Sequence, residues 1–160
     1  GKKSDIIKEL VSNLIEQMKV ATLDPPIDPI ENAKFFVDNV VATFEQDTDF
    51  YRAALMSAEQ LRLFDPRIPD GLFQRAQQVA APRKDWYEAG LFLGNIEPST
   101  IMKKVHNSNR LGRIDWVSGY IDLNQFRHQV LEGILLVYAS DASPEFHVRL
   151  SKEINGLSKL

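Results

Sequence analysis

The chain has 160 residues, 44% of them apolar and 26% charged, which suits one domain able to bury a core of its own. Its formal net charge of −3 leaves no basic field to hold nucleic acid. It has no cysteine, which excludes disulfides, thiolate catalysis and Cys-ligated zinc, and no apolar run approaches the roughly 18 residues of a membrane span.

The first periodic stretch is Ile6, Ile7, Leu10, Val11, Leu14, Ile15 and Met18. This spacing predicts a helix ending near Ala21, with Ser4 as N-cap and Asp5 favourable at its positive end. Asp28-Pro29-Ile30-Glu31 then joins an N-cap, a proline at the first helical position and a glutamate three residues on. The helix it opens carries Ala33, Phe36, Val37, Val40, Val41 and Phe44 and is expected to end near Gln46. Thr48 is positioned to cap the next helix, with Phe50, Tyr51, Ala54, Leu55, Ala58, Leu61 and Phe64, which Asp65-Pro66 and Pro69 should end.

Asp70 can cap a short helix through Leu72, Phe73, Ala76 and Val79. After Pro82 the pattern resumes from Asp85 to Leu93 with Trp86, Tyr87, Leu91 and Phe92, as one kinked helix or two pieces, and Gly94 ends it. Pro98 opens a helix with Ile101, Met102 and Val105 inward and Asn109 and Gly112 near its end. Residues 113–121 read as an apolar connection packed on the body, with Ile114, Trp116, Tyr120 and Ile121 in it.

Residues 122–160 read as a helix pair. Asp122-Leu123-Asn124-Gln125 has capping-box form, and the helix behind it is apolar on more than one side. Ser143-Pro144 restarts the chain as N-cap and first helical residue, followed by Phe146, Leu150, Ile154 and Leu157. No sustained period-two alternation and no strand-flanked hairpin dipeptide occurs, so the expected fold is all-α, a single domain over residues 1–160 with about seven or eight helices. The extra apolar side of the last pair suits a second copy of the chain. Phe126, Val130, Ile134, Val137, Leu150 and Ile154 are the expected interface of a four-helix bundle between two copies.

Catalytic signals are weak. His106, His128 and His147 lack metal-ligand spacing, and there is no nucleophile elbow or phosphate-cradling glycine loop. The reading is therefore not an enzyme and without metal or cofactor. A helical enzyme using a buried histidine is the rival, which an activity lost on mutating all three histidines would revive.

Three stretches resemble the TetR family of bacterial transcriptional regulators. Lys3, Asp5, Ile6 and Ile7 are similar to the junction at which the family's long connecting helix begins. Asp49-Phe50-Tyr51-Arg52-Ala53-Ala54-Leu55 resembles an aromatic-rich segment of its effector domain. Leu111-Gly112-Arg113-Ile114, followed by Ile121-Asp122, is similar to the turn ahead of its dimerisation helices. The resemblance implies a cytoplasmic homodimer with a pocket for an apolar or aromatic effector. Residues 1–21 would be the connecting helix, and DNA would be reached only through a helix-turn-helix domain of about 50 residues upstream of Gly1. Candidate pocket residues are Tyr51, Met56, Trp86, Tyr87, Met102, His106, Trp116 and Tyr120, aromatic or Met side chains with a polar tip in several cases. The alternative is an all-helical dimeric adaptor without a ligand.

Overall fold

Asp28 accepts hydrogen bonds from the amides of Ile30 and Glu31, Asp122 and Gln125 exchange both bonds of a capping box, and Ser143 accepts from the Phe146 amide. Each bond satisfies amides that a helix start leaves orphaned. These caps open three of the seven helices whose bounds fall among the described residues of the computed structural model, namely 1–21, 24–65, 67, 68, 72, 75, 76 and 82–158. In chain order the helices are α1 (Lys2–Ala21), α2 (Pro29–Gln46), α3 (Thr48–Gln60), α4 (Lys84–Glu88), α5 (Pro98–Val117), α6 (Leu123–Ala139) and α7 (Pro144–Leu157). The described residues contain no strand, only one isolated antiparallel bridge between Phe92 and Ala142. The fold is all-α.

Helix α6 is the centre. It packs on α2, α5 and α7, while α1 lies on α3 and α3 on α5. The main core gathers Val37, Phe44, Trp116, Phe126, Leu131 and Leu135 among others. A smaller cluster of Val11, Ile15, Ala58, Leu63, Phe64 and Leu72 lies under α1. Helix α1 therefore straddles two cores, with Leu14 in the main one. Helix α5 approaches α6 closely at Gly112. A Cβ there would stand 2.4 Å from Val130 Cγ2 and 3.2 Å from the Phe126 ring, so only glycine lets α5 approach α6 this closely.

Several expected boundaries move. Ser4 lies inside the first turn of α1, where its hydroxyl donates to the Gly1 carbonyl, and does not cap the helix. Asp47, not Thr48, caps α3 through the Phe50 amide. Helix α3 stops at Gln60 instead of reaching Phe64, because Arg62 takes a left-handed φ of 57° and turns the chain before any proline. The stretch expected as helix to Leu93 ends at Glu88, and Gly90 and Gly94, both at positive φ, shape the loop that follows. Residues 113–117, expected in a connection, continue α5. Asp70, Phe73 and Val79 lie outside the described residues.

Asp141 holds the 90–95 loop. Its buried carboxylate accepts from the amides of Gly94 and Asn95, both at 3.0 Å, and its own carbonyl accepts from the Leu93 amide. This fixes the aromatic cluster of Trp86, Phe92, Tyr138 and Phe146 against the α6–α7 turn.

Candidate functional site

The α1 stripe of Val11, Leu14, Ile15 and Met18 faces Phe36, Val40 and Phe44 of α2 and Leu55 of α3 across a small cavity. Phe64, Ala76 and Val105 complete its apolar lining. The polar part comes from one element. His106, Asn109 and Arg113 follow each other at spacings of three and four, on one face of α5. The free volume is about 50 Å³.

The polar end is under-satisfied. Arg113 is half-buried, and its Nη2 is enclosed with no hydrogen-bond partner among the described residues. It lies 4.6 Å from the centre of the Phe64 ring, a cation–π contact. No carboxylate is within ion-pair distance of it among the described residues, since Glu59 pairs with Arg110. Burial pulls the Arg113 pKa down to about 10, against the upward pull of Glu59, so the group is still a cation at neutral pH. Asn109 Oδ1 is buried and lacks a partner among the described residues as well. Burial, then the charges of Arg113 and Arg110, lower the His106 pKa to about 3, so its imidazole is neutral at neutral pH. Phe64 and His106 also line a polar cleft outside the cavity, with Glu59, Arg62, Asp65 and Arg110 on its other walls.

Of the residues expected around a ligand, His106 alone lines this cavity. Trp116 stacks on Phe44 at 4.8 Å and Tyr51 tilts against the same ring at 5.7 Å, so both back the wall without forming it. Trp86 is buried in the other aromatic cluster, its Nε1 donating to the Ile27 carbonyl at 2.6 Å. Tyr87 packs on Phe92 there, with its hydroxyl buried and unpartnered. Met102 is half-buried outside the lining, and Met56 and Tyr120 are exposed, Tyr120 by 80%. The residues the sequence reading missed are Asn109 and Arg113. The available signal was their spacing from Val105, which puts all three on one face once the helix runs past Gly112.

The expected dimer residues also separate. Phe126, Val130, Ile134 and Leu150 are at most 1% exposed inside the chain's own core, so they are not available to a second copy. Their helix looked over-apolar because it is central and meets three neighbours. Val137 and Ile154 are half-buried. The exposed large apolar side chains of α6 and α7 are Leu136 and Val148.

His128 and His147 lie on α6 and α7 with no hydrogen bond between them; the His147 ring instead meets the Ser151 hydroxyl at 3.4 Å. Among the described residues no group of three or more His, Asp or Glu side chains is placed to hold a metal ion, and no helix is long and apolar enough to cross a membrane. The class that fold and site define is an all-helical domain with a small, mostly apolar cavity and a half-buried arginine at its edge. No family model matches the chain, and neither a curated protein nor a solved structure does.

Proposed function

We propose that this chain is the effector-binding and dimerisation domain of a TetR-type regulator, a repressor acting in the cytoplasm. The observation that carries the proposal is that α1, the helix the resemblance joins to an upstream DNA reader, supplies one wall of the apolar cavity. The free volume of about 50 Å³ is small. A cavity that holds benzene measures about 150 Å³. A ring-sized effector must therefore push a wall outward. Helix α1 is the wall that yields, because Val11 and Ile15 rest on the smaller of the two cores. The effector then favours the state with α1 displaced, which is the differential affinity a switch requires. A coupling of about 1–3 kcal/mol suffices to move two DNA readers off their half-site spacing.

Dimerisation, in this reading, uses the outer side of the last helix pair at Leu136 and Val148. The test of switching is operator binding by the whole regulator with and without effector. Equal affinity in both states would overturn it. The same small volume favours a second reading, in which the cavity is a packing defect of a dimeric helical adaptor. A thermal-shift screen of apolar small molecules separates the two: the regulator melts higher with a ligand, the adaptor with none.

A further inference from the structure

The cavity is apolar on every side except one. A ligand that was only a hydrocarbon would leave the enclosed Nη2 of Arg113 without a hydrogen-bond partner, and the side chain without a carboxylate at ion-pair distance, among the described residues, which is unusual in a structural core. Asn109 beside it on the same face of α5 has an unmet hydrogen-bonding position, and its amide can offer either an oxygen or an NH₂. His106 is neutral there and brings no positive charge of its own at neutral pH. Arg110, one turn away, is already taken by Glu59. Among the described residues Arg113 thus has no ion-pair partner, and a planar guanidinium matches a carboxylate with two parallel bonds.

We propose that the cavity takes an organic monocarboxylate with an apolar body, the carboxylate held by Arg113 with Asn109 and the body lying on Leu14, Phe44 and Val105. The inference rests on the effector reading above and adds its chemistry. A fatty acid and a free aromatic acid share this chemistry, and chain length or ring shape distinguishes them in a later series. Phe64 lies 4.6 Å from the guanidinium carbon, and a carboxylate that bonds the N–H edge of the guanidinium need not displace this cation–π contact. The ordinary cost of desolvating an arginine has already been met in folding, so the anion gains most of its charge-assisted hydrogen bonding.

The experiment is calorimetric titration of the 160-residue chain with octanoate and with 1-octanol, which share a chain length and differ in the head. Octanoate is expected to bind about tenfold to a hundredfold tighter. Arg113→Met is expected to lose that preference while keeping octanol, and Arg113→Lys to keep part of it. Equal binding of the two probes by the unaltered chain would overturn the carboxylate and leave the cavity standing. So would a preference that survives in Arg113→Met. Binding of neither probe would overturn both. Should Arg113→Met not fold, octanoate labelled with ¹³C at its carboxyl reads the same point on the unaltered chain. A bound carboxyl that stays ionised at a pH where the free acid protonates supports the Arg113 contact, and one that titrates with the free acid contradicts it.

Discussion

His106 is neutral in the folded chain down to about pH 3, whereas in the unfolded chain it takes a proton near its ordinary value of about 6.5. Below that value the unfolded state binds a proton the folded state refuses, so stability falls as pH falls from about 6.5 toward 3. The loss from this one group is about 2 kcal/mol between pH 7 and pH 5. Urea unfolding of the native chain and of His106→Asn at the two pH values checks it, and the variant should show a flatter dependence. Asp141 is a second residue whose role is local. Its Asn variant keeps an acceptor for one of the two amides and turns an NH₂ toward the other, and should cost about 1–3 kcal/mol in the same assay, with no change in ligand binding at the cavity. Neither role was legible in the sequence. An isolated histidine reads as ordinary until its burial among arginines is known, and Asp141 lies in a turn whose partner loop is more than 40 residues away.

The start of a helix was more legible than its end. Asp28, Asp122 and Ser143 cap through bonds to the amides two or three residues on, so the signal sits within four letters of sequence. The ends of α3 and α5 depend on less local causes. Arg62 turns left-handed although it is not glycine, and α5 passes through Gly112 because that glycine faces α6 instead of ending the helix. Taking Gly112 as a stop is what hid Arg113 from the list of pocket residues. The close approach carries its own prediction. Gly112→Ala drives a methyl into Val130, a stiff and buried side chain, and should destabilise by about 1–3 kcal/mol. Val130→Ala alone also destabilises, but the double variant should be more stable than the sum of the two predicts, since the second change makes room for the first. Simple additivity in chemical denaturation would mean that α5 and α6 do not touch there.

Across the molecule, the all-α class followed from periodicity alone, and the separation of core from surface on α6 did not. A helix that meets α2, α5 and α7 is apolar on several sides, and the same pattern in sequence suits a dimer interface. Ile134→Asp should therefore unfold the chain, because it buries an unpaired charge in the core at a cost of several kcal/mol. If the proposed dimer forms, Leu136→Asp with Val148→Asp, both at exposed positions, should leave the chain folded and lower its sedimentation coefficient from a dimer's to a monomer's in analytical ultracentrifugation. A pair variant that sediments like the native chain would remove this face from the dimer. Of the aromatic residues expected around the ligand, Tyr120 is exposed, and Tyr51, Trp86, Tyr87 and Trp116 split between two clusters because ring content marks packing as readily as binding. The most direct test of the central claim, that an apolar effector enters between α1 and α5, is an amide chemical-shift titration of the chain with octanoate. The account predicts shifts concentrated at residues 11–18 and 105–113. Shifts gathered instead around Trp86, Phe92 and Tyr138, or none at saturating octanoate, would contradict it.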